Sequence, residues 1–139
     1  RDFCLSRGLG DVYKRQEQTI AFLASSAYAV LMAIATALSR AGIWRSWMDP
    51  DSADYVDERM VLMFLPLSGI CGLGVALMIV PIENPAHHLL EAIGAVLFCV
   101  ALFLIMPVTL FRYRPAPRWV YPRWAREIRE RYNRSRFLH

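Results

Sequence analysis

Four titratable side chains gather where the last long apolar stretch of the sequence begins: Glu83, His87, His88 and Glu91. On a helix, the spacing of His87 and His88 from Glu91 places both imidazoles beside the carboxylate. Histidine and glutamate at this spacing can bind a metal ion or relay protons, which makes this group a candidate proton or ion site. A competing interpretation is that the imidazoles face headgroups and water, while Glu91 favours the positive end of the helix dipole.

Other chemical motifs are missing from the sequence. It contains no phosphate-binding glycine loop, no nucleophile paired with a base, and no pair of cysteines with metal-ligand spacing among Cys4, Cys71 and Cys99. The only histidine besides His87 and His88 is His139, beyond the far end of the last apolar stretch, which argues against a bis-histidine haem within one subunit. The sequence therefore predicts no cofactor and no metal, and it favours a protein that is not an enzyme.

Three apolar stretches position these residues: 19–38, 60–80 and 89–111. They contain no Lys, Arg or Asp, and Glu91 is their only carboxylate. A helix of about 20 apolar residues crosses the ~30 Å hydrocarbon core of a bilayer. Such stretches lack the polar face that a helix of a small soluble protein needs. We therefore predict an all-α integral membrane protein, with three transmembrane helices in a domain over residues 17–111.

The arginines predict how this domain is oriented. The tail, 112–139, holds nine arginines, the first loop, 39–59, holds three, and the second loop, 81–88, holds none. Cytoplasmic loops carry the excess of basic residues, so the first loop and the tail are predicted to be cytoplasmic and the N-terminal side outside. Arginine greatly outnumbers the single lysine, Lys14, which favours a GC-rich bacterial genome and hence a bacterial inner membrane.

Small residues recur in the first two predicted spans. They allow close approach of another helix, the usual basis of helix association in lipid. The partner is either a helix of this chain, another membrane protein or a second copy. Pro66 lacks an amide hydrogen and is expected to kink the second span. The predicted packing residues are Ala21, Ser25, Ala29, Ala33 and Ala37 in the first span, and Ser68 and Gly72 in the second.

The tail after Pro122 has the pattern of a short amphipathic helix. Trp124, Ile128 and Tyr132 recur every four residues, among arginines that include Arg123 and Arg131. This pattern predicts a surface helix on anionic lipid headgroups, and the alternative is docking on a partner protein. A basic tail can also bind nucleic acid, but beside a membrane span we interpret it as a topology signal and predict no nucleic-acid partner.

The first sixteen residues do not fit the rest of the chain. Residues 11–16 resemble a translated sequencing adapter, and the sequence begins with Arg rather than Met. Residues 1–16 are therefore expected to be an artefact or, alternatively, a disordered arm, and upstream sequence is expected to be missing.

The leading functional hypothesis is a small membrane protein that serves as a non-catalytic subunit or assembly partner of a membrane complex. The small-residue stripe and the tail helix motivate it. A second hypothesis is a proton, ion or quinone site around Glu91. A third is that the chain is the C-terminal part of a longer transporter or membrane enzyme.

Overall fold

A computed structural model of the chain describes residues 2–48, 56–81, 87–111, 114 and 116–136. Its regular structure in these ranges is helical. Side chains are described from residue 12 to residue 131 within these ranges, except that of residue 56. No strand occurs in this part of the chain. Three helical stretches are long and apolar enough to cross a membrane, Val12–Ala41, Asp57–Met78 and His87–Leu110. The prediction of an all-α protein with three such helices is therefore confirmed.

The first helix, α1, spans Asp2–Ala41. Gly42 follows its last residue with a φ of +76°, a conformation that suits glycine. The Ile43 amide donates to the Leu38 carbonyl at 3.1 Å and so caps the helix. Residues 2–16 form the N-terminal part of this helix, and the expectation of an artefact or a disordered arm at residues 1–16 stays untested. That these residues are not native sequence stays a prediction.

The second helix, α2, has three consecutive segments: an α-turn at Val56–Arg59, a π-helical segment at Met60–Phe64 and an α-helix at Leu65–Met78. In the π-helical segment the Leu65 amide donates to Met60, five residues back. A wide π-helical turn thus stands just before Pro66, and the kink expected at the proline stays a prediction. The third helix, α3, spans His87–Leu110, and a fourth, α4, spans Arg123–Arg136.

The long helices form a row with α2 in the middle, packed against both α1 and α3. The α2–α3 contact is closest at two glycines. A Cβ atom on Gly94 would lie 2.6 Å from the Gly74 carbonyl oxygen, and a Cβ on Gly74 would lie 2.8 Å from the Gly94 oxygen. Only residues without a side chain allow two backbones to approach this closely.

The α1–α2 contact involves three of the predicted packing residues, Ala29, Ala33 and Gly72. A Cβ on Gly69 would lie 3.8 Å from the Ala29 oxygen and 4.0 Å from the Ala33 nitrogen. Gly72 faces the ring of Tyr28, 2.7 Å from the position of a Cβ. Ser68 and Gly72 are buried, whereas Ala21 and Ser25 are half-buried and Ala37 is exposed. Ala29 and Ala33 thus lie beside Gly69 of α2, and the packing role of the whole stripe stays a prediction.

Replacing Gly94 with valine should destabilise the α2–α3 pair, because the new side chain would overlap the Gly74 carbonyl. Overpacking of this kind costs about 1–3 kcal/mol. The measurement is thermal unfolding of the full chain in detergent, with Ala92→Val, at an exposed position of α3, as the matched control. Equal unfolding midpoints for the two variants would contradict the close approach of the helices.

Candidate functional site

A group of buried polar side chains lies where α2 begins. Glu58 and Arg59 are charged, yet only 4% and 8% of their surfaces are exposed. Both stand in the first turn of α2, where the helix dipole favours the carboxylate. A buried carboxylate and a buried guanidinium need hydrogen-bonding partners, since taking a charge out of water costs several kcal/mol.

The partners of these two residues come from the tail. The Tyr121 hydroxyl donates to Glu58 Oε2 at 2.6 Å and accepts from the Ala116 amide at 3.3 Å. Arg129 Nη2 lies 3.2 Å from Glu58 Oε1, with both side chains largely buried. Arg59 Nε donates to the Arg114 carbonyl. Glu58 and Arg59 thus fix Arg114, Tyr121 and the helix α4 to the start of α2.

An apolar cluster surrounds this polar centre, and together we call them the junction. The apolar members come from the first loop, from α2 and from the tail. Val61 and Leu62 belong to α2, so the junction joins the first part of that helix to the first loop and the tail. Its buried residues are Trp47, Val61, Leu62, Ala116, Val120, Tyr121 and Ala125.

Two tryptophans join the first loop to α4 at the edge of the junction. The rings of Trp47 and Trp124 meet edge to face, with centroids 5.5 Å apart. Trp124 Nε1 donates to the Arg40 carbonyl at 3.1 Å, and the Arg45 guanidinium lies 5.3 Å from the Trp124 ring centroid. The C-terminal end of α1, the first loop and the tail therefore lie at the same end of the protein.

The pKa of Tyr121 is shifted in the junction. Burial raises the pKa of its hydroxyl well above the ordinary value of 10, and the hydrogen bond to Glu58 and the charge of that carboxylate raise the pKa further. The phenol therefore stays protonated and keeps its proton available for the Glu58 carboxylate. This arrangement suits a structural contact, because a group that does not ionise near neutral pH is a poor proton relay.

The predicted contact residues of the tail divide into two kinds. Trp124 is partly buried against the junction, whereas Arg123 and Arg131 are exposed and Ile128 is 36% exposed. The side chain of Tyr132 lies outside the described residues. Their role in lipid or partner contact stays a prediction.

The predicted His–Glu group lies at the other end of the spans. His88 Nδ1 is 3.8 Å from Glu91 Oε2, and both side chains are exposed. The rings of His87 and His88 stack with centroids 6.0 Å apart, and His87 Nδ1 is buried without a hydrogen-bond partner among the described residues. Glu83 lies outside the described residues. Within the described ranges, no three His, Cys, Asp or Glu side chains are grouped to hold a metal ion.

Sequence reasoning did not single out Glu58, Tyr121 or Arg129. Glu58 is one of five carboxylates between residues 39 and 59, and Tyr121 is one of several aromatic residues of the tail. The available signal was weak: a carboxylate directly before an apolar stretch, in a chain whose tail is rich in arginine. Nothing in that pattern selects one arginine or one tyrosine as its partner.

Removing the Tyr121 hydroxyl should loosen the tail. In Tyr121→Phe the Ala116 amide and one Glu58 oxygen lose a buried partner, which costs about 1–3 kcal/mol. Limited proteolysis of the full chain in detergent should then cut the tail faster than in wild type, and faster than in Glu127→Gln, which alters an exposed α4 carboxylate.

The same assay has a pH dependence. The raised pKa of Tyr121 means that its contribution to stability is complete below about pH 10 and is lost as the pH rises above that value. Wild-type proteolysis should therefore accelerate in alkali while that of Tyr121→Phe should not. If the tails of wild type, Tyr121→Phe and Glu127→Gln were cut at the same rate at every pH, the junction would be refuted.

No family model, curated protein or solved structure matches this chain. Its function must therefore be inferred from the chemistry of its own residues. Of the two polar groups, the junction is buried and held by several hydrogen bonds, whereas His88 and Glu91 are exposed and lie 3.8 Å apart. The junction fits a structural role better than a catalytic one.

Proposed function

We propose that this chain is a non-catalytic subunit or assembly partner of a bacterial inner-membrane complex. The observation that carries the proposal is the junction, which holds α4 to the membrane domain through Glu58. A helix fixed in this way is already ordered when a partner arrives, so binding loses less conformational entropy than it would with a free tail.

The outer surface of α4 is suited to such binding. Glu127 and Arg131 are exposed, and Ile128, which is 36% exposed, gives this charged surface an apolar residue. We propose that the helix is amphipathic, with the fully buried Ala125 facing inward. Mixed charge around an apolar residue fits a protein partner, and the arginines also fit anionic lipid headgroups, which we propose as the second contact of this helix.

We propose that the junction lies on the cytoplasmic side. The support is that the first loop and the tail, which carry the arginines, meet at one end through the Trp124–Arg40 hydrogen bond. The other end holds His87, His88 and Glu91 but, in its described loop residues, no arginine.

Labelling with a membrane-impermeant thiol reagent tests this orientation. In a chain whose native cysteines are replaced by serine, Pro81→Cys should react from outside intact cells, whereas Arg118→Cys should react only after the cells are broken. Both positions are exposed, so burial does not bias the comparison. The reverse pattern would overturn the orientation.

A proton, ion or quinone site at Glu91 is the second candidate function. The His88–Glu91 distance of 3.8 Å and the unpartnered His87 Nδ1 favour it. Under this hypothesis Glu91→Gln abolishes a pH-dependent flux or activity while leaving subunit assembly intact. Under the subunit hypothesis Glu91→Gln changes neither. A role as the C-terminal part of a longer transporter or membrane enzyme is compatible with either candidate.

Crosslinking in native membranes followed by sizing in detergent tests the subunit proposal directly. The wild-type chain should appear in a discrete larger species of fixed stoichiometry. Ile128→Asp should reduce that species strongly, because it removes the apolar residue from the outer surface of α4, whereas Glu130→Gln, on the opposite side of the same helix, should not. A chain that is always an isolated monomer would contradict the proposal.

A further inference from the structure

An open groove of about 500 Å³ runs between α1 and α2. Its α1 wall includes Ala33 and Ala37, and its α2 wall includes Gly69 and Leu73. Leu73 is 46% exposed, so the groove opens toward the surroundings of the helices. Within a membrane those surroundings are hydrocarbon chains.

The groove forms because α1 and α2 are in close contact at Tyr28 and Gly72, while further along α1 the residues that face the groove are small. At this close contact, a Cβ atom on Gly72 would lie 2.7 Å from the Tyr28 ring. Toward the C-terminal end of α1, the residues that line the groove are Ala33 and Ala37. These methyl groups leave space that larger residues would fill.

One end of the groove is charged. Arg40 lines it and stands in the last turn of α1, where the helix dipole favours a cation. The Arg40 carbonyl accepts the hydrogen bond of Trp124, which fixes this end of the groove beside the junction. Just beyond it, Ile43 and Trp44 are exposed, and tryptophan is enriched at the level of lipid headgroups. The groove thus runs from the headgroup level into the apolar depth.

We propose that this groove binds an anionic phospholipid, with one acyl chain along Ala33, Ala37 and Gly69 and the phosphate on Arg40. The apolar walls match the acyl chain, and the guanidinium matches the phosphate, with which arginine forms strong charge-assisted hydrogen bonds. The site is distinct from the α4 surface used in the proposed function, and either can exist without the other.

The length of the groove suits a lipid chain. The groove extends from Ala29 to Arg40, a distance of roughly 16 Å along α1 at 1.5 Å per residue. One acyl chain can lie along this length with the headgroup at Arg40, whereas a partner helix in the groove would be an outcome of the test below.

Native mass spectrometry of the full chain in detergent, titrated with phosphatidylglycerol or phosphatidylcholine, tests the site. Wild type should bind phosphatidylglycerol about tenfold more tightly, a difference of about 1.4 kcal/mol. Arg40→Gln should remove this preference, and Ala37→Leu should weaken the binding of both lipids by filling the groove. The matched controls are Arg118→Gln, an exposed arginine of the tail, and Ala27→Leu, an exposed α1 residue outside the groove.

Three results would overturn the proposal. An equal loss of preference in Arg118→Gln would mean diffuse attraction to the basic end rather than a site. Unchanged lipid binding in Ala37→Leu would mean that the acyl chain lies elsewhere. Loss of a larger protein species in Ala37→Leu, with lipid binding unchanged, would assign the groove to a partner helix. Thermal unfolding of each variant without added lipid checks that the fold is intact.

Discussion

A buried carboxylate at the start of α2 organises one whole end of this protein. Glu58 is removed from water, and an ionised carboxylate there is tolerated only with close partners. Its partners, Tyr121 and Arg129, lie 63 and 71 residues further along the chain. To supply them, the tail has to fold back onto the membrane domain. That return also brings Trp124 against Trp47, and so connects the tail to the loop that follows α1.

The row of long helices has a different basis. In lipid there is little hydrophobic drive to bring helices together, so close backbone contact decides which faces meet. Gly74 and Gly94 provide that contact between α2 and α3, and Gly69 and Gly72 provide it between α2 and α1. With α2 in the centre, many apolar side chains of α1 and α3 stay exposed.

Much of the fold could be predicted because its signals are local. Apolar length alone identifies the three spans, and helical spacing alone places His88 beside Glu91. The junction could not be predicted in the same way. Glu58 resembles any acidic residue of a loop, and nine arginines in the tail offer equivalent partners on paper. The choice of Arg129 follows from where α4 lies, which local pattern does not determine.

The sequence by itself determined the class of the protein, the number of apolar helices and the clustering of arginine in the first loop and the tail. These properties depend on composition within short windows, where the free energy of transfer into lipid is a sum over neighbouring residues. Only the tertiary structure decided which small residues meet, how Pro66 is accommodated, and which charges are buried together. Those outcomes depend on contacts between residues far apart in sequence, and the burial of Glu58 against the tail is the clearest example.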